Sequence, residues 1–240
     1  MSSGDEVVRI KRIDARLSPF DWNFSGERRE DIDQHWAEIS ADKPAMFNGR
    51  VLLQHRGEIV GDAFVGRYFE TNYADFIAWQ RFGYPPPAVR NGFALAALRT
   101  RDGAFLLGEM ASHTFNAGKI YFAGGTPDRD DLLADGTVDL PGSAARELFE
   151  ETGLTAEEAI AEDDWVVALD PVRAAFMRAF RIDLDAEEAR RLVLSRLAAQ
   201  AEPELADIHI VRTRADLMPD RMPRFMLSYF NWLFGEENQR

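Results

Sequence analysis

Arg146-Glu147-Leu148-Phe149-Glu150-Glu151-Thr152-Gly153-Leu154 gathers three carboxylates into little more than one helical turn and then meets a glycine. At helical spacing Glu147, Glu150 and Glu151 stand at i, i+3 and i+4 and project from one face. Leu148, with Ala144 and Ala145 upstream, can then turn toward a core. Three like charges this close raise one another's pKa and cost stability unless something neutralises them. A hard divalent cation does so, because Mg²⁺ takes oxygen ligands and keeps waters and substrate phosphates in its shell. A solvated Glu/Arg helix is the commoner origin of a charge run, but the crowding on one face favours the metal reading. Gly153 suits the left-handed position that ends a helix, and Leu154 the apolar contact that follows it. At the other end, Ser143 is the expected N-cap. Arg146 is expected to brace the glutamates, as an orienting partner behind metal ligands does.

Upstream, Gly124-Gly125 follows a strand-like segment at residues 119–122, and an acidic stretch runs from Asp128 to Asp139. With the helix, these features resemble the Nudix hydrolase family, whose pattern is G-x5-E-x7-R-E-U-x-E-E-x-G-U with U a bulky apolar residue. Its second half is matched without a fault from Arg146 to Leu154. The first half departs. Counting back from Arg146, the early glutamate falls on Val138, which binds no metal, with Asp139 beside it, and the loop is longer than the family usually has. The resemblance implies an α/β/α sandwich, a mixed sheet between helices. It also implies Mg²⁺ or Mn²⁺ held by Glu147, Glu150, Glu151 and the backbone carbonyl of Gly125, and hydrolysis of a diphosphate. In similar enzymes a general base comes from a separate acidic loop. Glu202 and Glu204 fit that place, and Glu204 is the choice.

Composition sets limits. At 240 residues the chain can bury a sizeable core. An apolar fraction of 46% with 29% charged residues is ordinary for a globular protein. A net charge of −13 argues against a nucleic-acid surface, yet permits a small anionic substrate, since a metal and local arginines can set the field in a cleft. The absence of cysteine excludes disulfides, thiolate catalysis and cysteine zinc sites. Residues 1–6 are polar and acidic, unlike a signal peptide, and no apolar run could span a membrane. The expected compartment is the cytoplasm.

Two parts are expected. Residues 1–85 read as an α+β extension or small domain, with a strand at 7–13 and a helix at 25–40 carrying Ile32, Trp36 and Ile39 on one face. Strands at 51–54 and 58–65 follow, joined by a turn at Arg56-Gly57, then a short helix at 73–80. Pro85-Pro86-Pro87 marks the boundary. Residues 86–240 read as the catalytic domain. Strands at 93–99 and 104–107 flank the hairpin turn Arg101-Asp102-Gly103. After the acidic helix come strands at 165–169 and 175–182, a helix at 186–199, a strand at 208–211 and an apolar helix at 222–234. Periodicity alone would give only α/β or α+β.

Other constellations fall away. Gly103 to Glu109 has the glycine spacing of a phosphate loop but a glutamate where the lysine belongs. His35, His55, His113 and His209 are scattered and read as structural. Phe225, Tyr229, Phe230, Trp232 and Phe234 favour core packing or a homodimer contact over a stacking platform. The expected substrate is a nucleoside diphosphate linked to another group, a nucleotide sugar or ADP-ribose first. Residues 36–53, with Phe47-Asn48-Gly49, faintly resemble UDP-sugar diphosphatases of the family, and the long loop is similar to that of coenzyme A diphosphatases. A non-catalytic nucleotide-binding protein on the same scaffold is the alternative from a different class. Residues 1–85 hold no carboxylate cluster, and Trp36, Phe47 and Trp79 there offer stacking surface for substrate access.

Overall fold

The computed structural model describes residues 6–43 and 46–237. Residues 1–5, most of the segment read as unlike a signal peptide, and residues 44–45, inside the stretch similar to UDP-sugar diphosphatases, lie outside the described residues. Along the chain, strands β1 (Glu6–Ile10) and β2 (Arg12–Leu17) precede helices α1 (Asn23–Glu27) and α2 (Arg29–Asp42). Strands β3 (Arg50–Val60) and β4 (Ala63–Asn72) then lead into helix α3 (Tyr73–Arg81). Strands β5 (Asn91–Thr100), β6 (Phe105–Met110), β7 (Ile120–Tyr121) and β8 (Ala123–Gly125) precede helix α4 (Leu140–Thr152). Strands β9 (Ala159–Leu169) and β10 (Arg173–Ile182), helix α5 (Ala186–Leu197), strand β11 (Leu205–Val211) and helix α6 (Arg224–Glu237) follow.

The large sheet runs β1-β9-β10-β5-β6-β11, with β7 added to β6 and β8 to β5. Strand β10 is parallel to β5 and the other pairings are antiparallel, so the sheet is mixed. A second sheet, β2-β4-β3, stands apart from it. Alternation along the strands assigns the layers, because neighbours in sequence point to opposite faces. Ala96 and Leu98 of β5 and Leu106 of β6 meet Leu148 of α4 and Val193 of α5. On the opposite face, Phe93 packs on Phe225 at 5.3 Å and Phe105 on Phe230 at 5.6 Å, both from α6. The result is the expected α/β/α sandwich. The aromatic residues of α6 serve as core: Tyr229 and Phe230 are buried. The small sheet covers the α4 face farther along, where Phe64 meets Phe176 of β10 at 4.8 Å.

Several local expectations change. The strand expected at residues 7–13 is two: β1 joins the large sheet beside β9, and the chain then crosses at Lys11 so that β2 pairs with β4. Arg56-Gly57 makes no turn. Strand β3 runs through it with a register shift between Gln54 and Arg56, and the reversal comes at Gly61, with φ +63. Gly57 is small for packing, since a Cβ there would stand 2.6 Å from the Phe64 ring. The helix expected at 25–40 breaks at Arg28 into α1 and α2. The hairpin at Arg101-Asp102-Gly103 forms as read, with Gly103 at φ +86.

The acidic stretch before α4 is an ordered strap across the small sheet. Leu52 N–H donates to Pro127 O at 2.7 Å, Val138 N–H to Ala15 O at 2.9 Å, and Arg129 reaches Glu70 at 2.8 Å. Val138, at the position where the family pattern has a glutamate, is buried in the core. The acidic stretch thus ties the small sheet to the start of α4.

Candidate active site

Helix α4 is fixed at both ends by local chemistry. Asp139 is its N-cap, accepting from Gly142 N–H at 3.0 Å, and Pro141 occupies the first turn, where its missing N–H costs nothing. Ser143, expected in that role, lies inside the helix, buried, its hydroxyl without a partner among the described residues. Asp139 prevails because a carboxylate also complements the positive end of the helix dipole. Gly153 ends the helix at φ +72. Ala144 and Leu148 enter the core, and burying a leucine stabilises by roughly 1.5–3 kcal/mol. Ala145 does not follow them and is exposed, since it falls on the solvent side of the helix.

Glu147 and Glu151, one turn apart, line a cleft of about 380 Å³. Glu204, immediately before β11, lines the same cleft, whereas Glu202 faces a different surface. The glycine pair closes this wall. Gly124 N–H donates to Glu151 Oε1 at 3.0 Å, and a Cβ on Gly125 would stand 2.6 Å from Glu147 Oε1. Only glycine lets the backbone approach that carboxylate so closely. Glu150 is different: its side chain is 53% exposed and it does not line the cleft.

Charge on this wall is poorly compensated. Arg146 Nη2 donates to both oxygens of Asp131, at 3.1 and 3.0 Å, and Nη1 donates to Glu150 at 3.0 Å and stands 3.3 Å from Glu147. One guanidinium thus serves three carboxylates, and among the described residues neither Glu151 nor Glu204 has an ion pair. Burial pushes the Glu147 carboxyl up to about 7, with Arg146 opposing and the charges of Glu150, Asp131 and Glu204 adding to it. Burial, then the charge of Glu147, drives Glu151 well above the usual carboxylate range. Buried carboxylates stacked this way either hold protons or share a cation. An all-oxygen set of glutamates beside a glycine backbone fits a hard divalent ion such as Mg²⁺ or Mn²⁺.

Much of the remaining lining is aromatic, and most of that comes from residues 73–84. Tyr73, Phe76 and Trp79 of α3, then Tyr84, face the cleft together with Phe93 and Phe225. Trp79, expected to offer surface here, borders the cleft from within the core: it is 1% exposed, its indole N–H donates to Pro85 O at 3.1 Å, and it supports Tyr84 instead of presenting a face of its own. Trp36 instead packs against Tyr73 at 6.1 Å without reaching the cleft, and Phe47 is 82% exposed away from it. Three contributors carry no signal in the sequence. Asp131, buried in the acidic strap, anchors Arg146, and one aspartate among many gave no signal of it. Tyr84 and Arg173 meet across 89 positions of sequence, at 3.0 Å, and only the fold brings them together.

A second set of groups converges more tightly. Glu109, Asp207 and His209 place one ligand atom each within 4.8 Å of one another. They are already partnered: His209 with Glu109 at 2.7 Å, Arg221 with Glu109 at 2.5 Å, and Arg190 with Asp207 at 2.7 Å. His55 likewise has a structural setting, 2.7 Å from Ser18 Oγ and stacked on Phe20.

No protein-family model and no curated protein matches the chain. Among solved structures it is similar to a Nudix hydrolase from M. smegmatis, RenU, at 17% identity over 62% of this chain and 87% of that one, with TM-score 0.40. It is similar to the MutT protein from Methanosarcina mazei Go1 at 20% identity over 65% of this chain and 100% of that one, with TM-score 0.41. It is also similar to a bifunctional NMN adenylyltransferase/ADP ribose pyrophosphatase from Francisella tularensis at 17% identity and TM-score 0.42, spanning 67% of this chain and 46% of that one. The residues of the cleft, and not these likenesses, carry a functional reading.

Proposed function

We propose that this chain is a divalent-metal-dependent hydrolase that cleaves the diphosphate bond of a nucleoside diphosphate linked to another group, a nucleotide sugar or ADP-ribose. The observation that carries the reading is the group Glu147, Glu151 and Glu204: buried or cleft-facing carboxylates, poorly compensated, sharing a cavity of ligand size with aromatic side chains.

Glu147 and Glu151, with the Gly125 carbonyl, would hold Mg²⁺ or Mn²⁺, and Glu150, held outside the cleft by Arg146, would join them only by turning inward. Such an ion, when bound, screens diphosphate oxygens and acidifies water. Arg146, locked on Asp131, keeps Glu147 and Glu150 in place. The Gly124 amide fixes Glu151. Glu204, exposed at the cleft edge, accepts the proton of the attacking water as general base. The new bond forms between water oxygen and phosphorus, and the bridging oxygen leaves with its electron pair on the other phosphate. The aromatic wall holds the nucleoside and excludes water. The location in the cytoplasm and a homodimer are further parts of this reading that only cell fractionation and solution mass can test.

The testing experiment is a panel of nucleotide sugars, ADP-ribose, dinucleotides, coenzyme A and nucleoside triphosphates with Mg²⁺ or Mn²⁺ in ¹⁸O-labelled water. Label on a phosphate product of a diphosphate substrate, with monophosphate esters spared, supports the reading. Label on a sugar carbon overturns it.

A further inference from the structure

Arg173 is the sole Lys or Arg among the residues lining the cleft, whose other charged groups are three glutamates. It opens β10 in register with Asn91, while Gly125 pairs with Ala94 on the other side of β5. Strand geometry therefore sets the Arg173 backbone about 10 Å along the sheet, and two strand spacings across it, from the glycine pair. The cleft is thus polarised along the sheet, with the glycine pair that contacts Glu147 and Glu151 toward one end and Arg173 toward the other.

The guanidinium is positioned but not saturated. Nη2 donates to Tyr84 Oη at 3.0 Å, and Nη1 meets Asp170 Oδ2 at a loose 3.4 Å. The Arg173 carbon Cζ lies 5.9 Å from the centre of the Tyr84 ring. Two of its five N–H donors are engaged among the described residues, which leaves a fork suited to a planar or tetrahedral oxyanion. Tyr84 itself is held at φ +60, the one non-glycine residue of positive φ among those described. Its ring packs edge-on against Trp79 at 4.8 Å, and its N–H donates to Trp79 O. An aromatic residue in that region is strained, and the strain here holds the phenol against Arg173.

We propose that Arg173, positioned by Tyr84, is a specificity-determining residue that binds a second anionic group on the substrate, a phosphate or carboxylate remote from the diphosphate. This rests on the diphosphatase reading of the same cleft. The tests are matched pairs differing in that charge: coenzyme A against dephospho-coenzyme A for phosphate, and UDP-glucuronate against UDP-glucose for carboxylate. Wild type should favour the charged member of one pair by about ten- to a hundredfold, the strength of a charge-assisted hydrogen bond. R173Q should erase that preference through KM while leaving kcat and the uncharged member nearly unchanged, and R173K should restore part of it. The pair that responds identifies the source of the anion. Affinities of the same pairs, measured by calorimetry without metal so that nothing turns over, separate the two claims. A lost preference in binding with no hydrolysis of any compound would keep the Arg173 assignment and sink the diphosphatase reading. Equal affinity and rate for both members of both pairs in wild type overturns the assignment, as does an equal loss on both members in R173Q with an unchanged melting curve.

Discussion

Two clusters of acidic side chains, one on strands of the large sheet and one on helix α4 beside it, behave oppositely. Glu109, Asp207 and His209 converge within 4.8 Å, yet every carboxylate there already has a guanidinium: Arg221 on Glu109, which His209 also hydrogen-bonds, and Arg190 on Asp207. The hydrogen bond from His209, and then Arg221, hold the Glu109 carboxyl below its ordinary value. Glu147 and Glu151 sit in a cleft with a single shared arginine, and burial raises both. Convergence of ligand atoms marks where a metal could be reached. Charge left uncompensated marks where a cation would be taken up in place of protons.

Catalysis should separate the clusters most widely. E151Q should lower kcat/KM on the best diphosphate substrate by at least about a hundredfold, several kcal/mol of lost transition-state stabilisation. E109Q should change it by less than about threefold, because no part of that cluster lines the cleft. Steady-state kinetics on both variants, with melting curves to verify folding, decides it. Comparable losses in the two would break the contrast.

Among the aromatic residues of the cleft, Tyr73→Leu should raise KM by about two- to tenfold, the worth of an aromatic contact, and leave kcat within about twofold. A kcat collapse in this variant would place α3 in the chemistry as well as in binding.

Proton linkage should give opposite slopes. Glu147 is raised from 4.5 to about 7, so between those values the folded state binds more protons than the unfolded one, and stability of metal-free protein falls as pH rises. Added Mg²⁺ should remove that fall, and E147Q should flatten it. Glu109 is depressed, so its contribution is present above its ordinary 4.5 and is lost as pH falls through its lowered value. E109Q should therefore remove part of the acid-side loss. Thermal melts across pH, in chelator and in Mg²⁺, read both slopes, and a metal-free E147Q curve identical to wild type would contradict the first.

The smallest effect belongs to the cap that aims the acidic helix. D139A should cost about 1 kcal/mol, or roughly 2–4 °C in Tm for a chain of this size, with kcat reduced far less than in E151Q. No change in Tm would return the capping role to another residue.

The acidic helix was legible because its information is local. Spacing at i, i+3 and i+4, and a glycine stop, are properties of consecutive residues, and the helix end formed where they indicated. The strand alternation and the Arg101-Asp102-Gly103 turn were legible for the same reason. Ser143 was misread because two acceptors, Asp139 and Ser143, stood near one helix start, and only the position of Gly142 decides between them. Gly57 was misread because a glycine needed for close packing against Phe64 looks like a glycine needed for a turn. The aromatic wall, Asp131 behind Arg146, and the Tyr84–Arg173 pair were out of reach, since each depends on which distant segments the sheet order places side by side. The pairing of Glu109 with His209 was equally hidden, being set by the register of β6 against β11.

Mn²⁺ binding, followed by the spin resonance of the free ion, tests most directly whether a divalent ion belongs to the Glu147 and Glu151 wall. Wild type and the E109Q/H209Q double variant should bind Mn²⁺ alike, and E147Q/E151Q should lose that binding by about tenfold or more. Binding retained in E147Q/E151Q and lost in E109Q/H209Q would contradict that assignment.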